Sequence, residues 1–325
     1  MTAPRVLFLH GLTKPLVDLV VSCSPAAFDT VSLERKTPLA EQIDAARAAD
    51  FMMVYRAPLD PEVVRAASAL KLVQLLAAGY DGMDLSVLSE RGIPCANNGG
   101  ANARAVADMT VLLMLGVYRR AVQTHLEMRA GQWGAGITGL NTFEMAGKKV
   151  GILGFGNIGQ AVAKRVQGFE ARVLYHNRRR LPVDRERALD VTYASLEDLL
   201  RDSDILSIHT PLTDQTQHLI GRAQLAAMKR SAVIVNTGRG AVIDEAALIE
   251  ALRDGTIAGA GLDAFDPEPI AADNPLLTFD NVMLSPHTAG TTADTWERRG
   301  RFAYENFARV WSGAAPLSAI GQVSP

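Results

Sequence analysis

Residues 150–163 read "VGILGFGNIGQAVA". An apolar run passes into glycines at 154, 156 and 159, and then into residues that are apolar at helical spacing. The glycine pattern alone is a weak signal. Directly after a buried strand and at the opening of a helix, it points to a dinucleotide site. In that reading Gly154 allows a tight turn and Gly156 lets the backbone approach a pyrophosphate. Gly159 lets helix and strand pack closely, and the helix N-terminus faces the negative charge. The alternative is a glycine-rich turn that binds nothing.

Outward from this loop, short apolar runs alternate with helical patterns. "KKVGILGFG", "ARVLYHN", "DILSIHTP", "AVIVNTG", "IAGAGLDAF" and "VMLSP" form one series of buried strands. An earlier series holds "RVLFL", "DFMMVY" and "LKLVQLLA", with "EQIDAARAA" and "DPEVVRAASAL" as helices between them. Alternation on this scale implies α/β architecture, with two doubly wound parallel-sheet domains. Residues 101–123 form one long apolar-rich helix candidate bridging the two series. The helical pattern "TADTWERRGRFAYENFARVWSG" returns to the first domain. The expected division is therefore 1–100 plus 291–325 against 101–290.

Composition narrows the function. The chain has 325 residues, 48% of them apolar, and a formal net charge of −2. That balance predicts no general attraction to nucleic acid or to an anionic membrane. Cys23 and Cys95 lack metal-ligand or redox spacing, which suggests a reducing compartment and no metal. The apolar run before His10 is too short for a signal peptide or a membrane span, so a cytoplasmic protein is expected.

The strand after the glycine loop bears on which dinucleotide binds. An NAD site usually carries Asp or Glu about 20 residues on, accepting from the ribose hydroxyls. Here "ARVLYH" ends in Asn177, Arg178, Arg179 and Arg180. Guanidinium groups can bind a 2′-phosphate that a carboxylate would repel. NADP is therefore favoured, with NAD possible and Arg178 and Arg179 as the best contacts. The alternative is a solvated basic turn.

Three further residues follow strand ends: Arg239 in "NTGRG", Glu268 in "LDAFDPEP" and His287 in "SPHTAG". Together they suit one reaction. Arginine holds the carboxylate of a 2-oxo acid with a planar fork. Histidine donates a proton to the carbonyl oxygen, and the glutamate orients the ring and stabilises the imidazolium. Gly238 and Gly240 are expected to let the backbone turn sharply and leave the substrate room. Singly, each residue also has a structural reading: a satisfied histidine, a rigid exposed turn, or an arginine paired with Asp244.

The chain resembles the D-2-hydroxyacid dehydrogenases over nearly its whole length. "LAAGYDGMD", "GIPCANNGGANARAVAD", "MAGKKVGILGFGNIG", "HTPLTDQTQHLI", "VNTGRGAVIDEAAL", "GAGLDAFDPEP" and "LSPHTAG" carry the likeness. The resemblance implies a flavodoxin-like substrate domain and a Rossmann dinucleotide-binding domain. It implies that Arg239, Glu268 and His287 are catalytic, with the backbone of Ala78 and Gly79 holding the substrate carboxylate. It further implies a cofactor site of Gly154, Phe155, Gly156, Asn157, Ile158, Gly159, Asn177, Arg178, Arg179, Pro211, Thr237, Asp263, His287 and Gly290, with Asp263 facing the nicotinamide carboxamide. Family members are commonly dimers joined through the cofactor domain, so a homodimer is expected. Gly99 and Asp108 depart from the usual Pro and Glu, which affects loop geometry. The missing acid near Asn177 is similar to the NADPH-using glyoxylate/hydroxypyruvate reductase branch. The expected activity is reduction of glyoxylate or hydroxypyruvate to the D-2-hydroxy acid. The alternatives are a reductase of bulkier arylpyruvates, with Tyr55 and Arg56 near the residues that set pocket size, or a dinucleotide-sensing regulatory protein.

Overall fold

In the computed structural model, residues 3–56, 58–81, 83–133 and 139–320 are described. The chain divides into two compact units, Met1–Asn102 with Thr291–Pro325, and Ala103–Gly290. Thirteen strands are present among the described residues: β1 Arg5–His10, β2 Asp29–Glu34, β3 Phe51–Tyr55, β4 Leu72–Leu75, β5 Cys95–Ala96, β6 Lys149–Leu153, β7 Arg172–His176, β8 Thr192–Tyr193, β9 Ile205–Ile208, β10 Val233–Asn236, β11 Gly259–Leu262, β12 Val282–Leu284 and β13 Ala319–Ile320.

In the first unit the strand order is β13-β5-β4-β3-β1-β2, parallel throughout except where β13 runs antiparallel to β5. Setting β13 aside, this is the 2-1-3-4-5 order of flavodoxin-like sheets. In the second unit the order is β12-β11-β10-β9-β6-β7-β8, all parallel. Read from β8, that is the 3-2-1-4-5-6 order of dinucleotide-binding sheets, with one strand added. The inner strands β9, β10 and β11 are buried at every position, which is why their sequences are nearly all apolar, Ser207 and Asn236 apart, rather than alternating. Helices cover both faces of each sheet, and each unit has two apolar clusters, one per face. The edge strand β2 is half-exposed, and β5, β8 and β13 have two residues each, so none gave a readable apolar run.

The single helix expected over residues 101–123 is instead two. The first, Ala103–Tyr118, buries most of its residues in the second unit, and Leu113 closes on Gly261. Arg120 then turns into the left-handed region at φ +50°, and a second helix, Ala121–Arg129, buries nothing. Both halves are built of good helix formers, so propensity carries no sign of the break. The helix Ala293–Trp311 starts on Thr292, whose side chain accepts from the Thr295 N–H, and packs into the first unit through Trp296, Ala303, Tyr304 and Phe307. Asn306 donates to Gln74 across 2.7 Å, tying this helix to β4.

Candidate active site

Because the second sheet is wholly parallel, all its strands deliver their following loops to one edge. The glycine loop follows β6. Gly154 has φ +93°, and a Cβ there would lie 2.6 Å from the His209 carbonyl carbon at the end of β9. A Cβ at Gly159 would lie 2.4 Å from the Gly154 oxygen, so this residue sets how closely helix Asn157–Gln167 approaches β6. At Gly156 a Cβ would meet nothing within 4 Å. Gly156 and Asn157 are exposed and Ile158 is half-buried. The first backbone bond of this turn runs from the Gln160 N–H to the Gly156 oxygen, so the N–H groups just before Gln160 precede the helical ladder. Open space beside N–H groups at a helix N-terminus fits a dinucleotide pyrophosphate. The Phe155 ring is buried against Tyr175, 4.6 Å between centroids, so its place in the loop is structural.

At the end of β7, Asn177 stands where an acid was absent from the sequence pattern. Its Oδ1 accepts from the Phe155 N–H across 2.7 Å, which ties β7 to the glycine loop. The three arginines that follow separate. Arg180 donates through Nε and Nη2 to the buried Glu186 carboxylate, both at 2.8 Å, and lies over the Tyr193 ring. Arg178 and Arg179 are exposed.

Beyond β9, the sequence reading passed over His209. Its Nε2 meets Ser207 Oγ at 2.8 Å, and its Nδ1 lies 3.5 Å from Thr237 Oγ1, which in turn meets Thr110 Oγ1 at 2.9 Å. Burial pushes the His209 ring down to about 3, so it is neutral. The only sign in the sequence is its place one residue past an apolar strand, level with Gly154. Pro211, exposed, follows in the same loop, where its oxygen accepts from Thr216 Oγ1.

The loop after β10 is pinned by Asn236. Its Oδ1 accepts from the Gly238 N–H and its Nδ2 donates to the Arg239 oxygen, both at 2.9 Å. Arg239 Nη1 donates to the Gly238 oxygen at 2.9 Å. Asp244 is committed elsewhere, capping the helix Glu245–Arg253 through the Ala247 N–H. A Cβ at Gly240 would lie 2.0 Å from the Phe265 carbonyl carbon. Gly240 therefore admits the β11 loop rather than leaving space for a substrate, which corrects the reading from sequence.

That β11 loop brings Glu268 to His287. The imidazole Nδ1 sits 2.7 and 2.9 Å from the two carboxylate oxygens, with both side chains about one-third exposed. Glu268 Oε1 also accepts from the Phe265 N–H, so the carboxylate is fixed from its own loop. His287 itself has φ +54°. Asp263, 1% exposed, explains how that backbone is held: its two oxygens accept from the Thr288 and Ala289 N–H groups at 2.9 Å, just before Gly290. With Nδ1 on a carboxylate, Nε2 is the ring nitrogen available to a substrate, and a proton held there can be donated.

Ala78 and Gly79 lie in the first unit, half-buried beyond β4, where the Ala78 oxygen accepts from Asn97 Nδ2 at 3.0 Å. Among the described residues no group of three or more His, Cys, Asp or Glu side chains could hold a metal, and no helix is long and apolar enough to cross a membrane.

Residues 111–289 match the family model described as D-isomer specific 2-hydroxyacid dehydrogenase, NAD binding domain. The chain is 41% identical over 267 residues to a glyoxylate reductase of Korarchaeum cryptofilum, covering 82% of this chain and 80% of that one. It is 38% identical over 287 residues to glyoxylate/hydroxypyruvate reductase B of Erwinia tasmaniensis, covering 87% and 88%. Among solved structures it resembles the NADPH-dependent glyoxylate/hydroxypyruvate reductase of Sinorhizobium meliloti in complex with NADP and malonate. The TM-score is 0.81 and the identity 30%, over 98% of this chain and 97% of that one.

Proposed function

The chain belongs to the D-isomer specific 2-hydroxyacid dehydrogenases, a family of oxidoreductases, and on that premise we propose that it reduces glyoxylate or hydroxypyruvate to the D-2-hydroxy acid with NADPH. The observation that carries this reading is the His287–Glu268 contact, a ring nitrogen held on a fixed carboxylate at a strand-end edge. When bound, the reduced nicotinamide supplies a hydride. The protein does the rest. Arg239 grips the substrate carboxylate with its planar fork. His287 gives the proton from Nε2 to the carbonyl oxygen as the carbon is reduced. Glu268 stabilises the imidazolium before the transfer and holds the ring in line. Asp263 fixes the loop that carries His287.

The cofactor would be held by the glycine loop at its pyrophosphate, with Thr237, Pro211 and Gly290 in the neighbouring strand-end loops. Arg178 and Arg179 would take the 2′-phosphate, since Arg180 is committed to Glu186. Relatives named glyoxylate/hydroxypyruvate reductase support the substrate class, and the NADPH-dependent relative supports the cofactor. A homodimer joined through the second unit fits the exposed Val122, Leu126 and Met128 on a helix that buries nothing, with Trp133 and Leu140 exposed nearby. Free Cys23 and Cys95 agree with a reducing cytoplasm.

Initial rates with NADPH and NADH against glyoxylate, hydroxypyruvate, pyruvate and phenylpyruvate test this. NADPH with either of the first two is expected to be fastest. A preference for phenylpyruvate would move the substrate class to arylpyruvates, and no oxidation with any of them would end the reading.

A further inference from the structure

The first unit holds a guanidinium that none of the chemistry above uses. Arg299, on the helix Ala293–Trp311, is 4% exposed, and its Nε and Nη1 have no hydrogen-bond partner. The indole Nε1 of Trp296, one turn earlier, is buried and unpartnered as well. The guanidinium carbon lies 4.5 Å from the Trp296 ring centre and 5.5 Å from that of Tyr55, and the two rings meet edge-on at 4.8 Å.

Two more cations border this group. Arg56 follows β3, has φ +49°, and places its guanidinium 5.6 Å from the Tyr55 ring centre. Among the described residues Arg298 donates to the Ala101 oxygen and the Thr295 hydroxyl. Among the described residues none of these three arginines makes an ion pair. Glu297, the nearest acid in sequence, is taken by Arg301. Charge thus runs inward from exposed Arg56 through half-buried Arg298 to buried Arg299.

Three buried N–H groups without acceptors cost free energy that two aromatic faces repay only in part. We propose that Arg299, Trp296 and Arg56 form a receptor for a carboxylate, placed at the C-terminal end of β3 in the first unit. The end of a parallel strand is where doubly wound sheets receive ligands. A planar fork matches a two-oxygen anion, and the unpartnered indole N–H is a further buried donor one turn earlier on the same helix. Burial lowers the Arg299 guanidinium from its ordinary value, the charge and a side-chain hydrogen bond of Tyr55 oppose this, and the neighbouring Arg56 and Arg298 add to the lowering. An arriving carboxylate relieves the burial penalty and the repulsion together. The ligand this site fits is a free carboxylate acting as an effector.

Calorimetric titration of succinate into the full chain tests this. Succinate is expected to bind the wild type one-to-one, with its Kd raised about tenfold or more in Arg299→Met, the loss of one charge-assisted bond. Arg299→Lys, which keeps the charge, should restore part of the loss, and Trp296→Phe keeps the ring while removing the indole donor. These two variants decide the matter if Arg299→Met does not fold. The titration needs no turnover, so an enzyme inactive on every 2-oxo acid still leaves the receptor testable. If succinate does not bind the wild type, or binds every variant alike, Arg299 only clamps two rings and the proposal is wrong.

Discussion

At the strand-end edge of the second sheet, His287 rests on Glu268, and Arg180 rests on Glu186. At the same edge of the first sheet, Arg299 lies against Trp296 and Tyr55 and makes no ion pair among the described residues. Both edges are ends of parallel strands and both gather strongly polar groups. They differ in where the counter-charge comes from. A histidine that must hold and deliver a proton needs its partner built in, because the partner fixes which nitrogen faces the substrate. An arginine that must hold an anion needs its partner absent, because an internal carboxylate would compete with the ligand. The same contrast recurs inside one loop: Arg180 is satisfied within the fold, while Arg178 and Arg179 are exposed beside it.

The largest effect is expected at His287. His287→Ala should slow reduction of glyoxylate by about 10²- to 10⁴-fold through loss of the general acid. A rate near wild type would mean that the built-in pair is only structural.

The next effect separates the arginines. Replacing Arg178 and Arg179 with alanine should lower the NADPH-to-NADH ratio of kcat/KM by about ten- to a thousandfold, mainly by weakening NADPH. Salt should weaken NADPH binding more than NADH binding in the wild type. If the unaltered enzyme uses NADH as well as NADPH at low salt, the exposed arginines are an ordinary solvated turn.

A smaller change is expected at Arg239. Arg239→Lys keeps a charge and loses the fork, so kcat/KM should fall about tenfold or more with cofactor affinity held. Unaltered kcat/KM would place the carboxylate grip elsewhere.

The smallest effect concerns stability. The bonds from Arg180 and then Tyr175 hold the Glu186 carboxyl down at about 2 from its ordinary 4.5. A lowered folded value gives stability that is complete above 4.5 and drains away as pH falls toward 2. Urea midpoints of the wild type should therefore fall more steeply than those of Glu186→Gln across this window. Parallel curves would show that the pair contributes nothing.

Much of the second unit was legible because one local pattern carried several constraints at once. A buried strand, a glycine with positive φ and a helix start coincide at Gly154, and each leaves a mark in sequence. Arg239, Glu268 and His287 were legible as residue types out of place at the ends of apolar strands. Other features leave no such mark. Gly240 looks like room for a ligand and is instead pressed by the Phe265 backbone, a contact 25 residues away along the chain. The Arg180–Glu186 pair crosses a turn, and in the sequence the three arginines look alike. Arg299 sits in "WERRGRF", where charged residues suggest a solvated face. Only the packing of that helix against β3 shows that one of them is sealed beside Tyr55. Loop positions such as Asp263, which holds the His287 backbone, depend on hydrogen bonds that no spacing reveals.

We propose that the edge carrying His287, Glu268 and Arg239 performs D-specific reduction of a small 2-oxo acid. The decisive experiment uses hydroxypyruvate and NADPH deuterated at nicotinamide C4, on the transferable face, with the product examined by chiral chromatography and mass spectrometry. The expected product is D-glycerate carrying one deuterium at C2. L-glycerate, or D-glycerate without the label when the opposite face is also tried, would overturn the assignment.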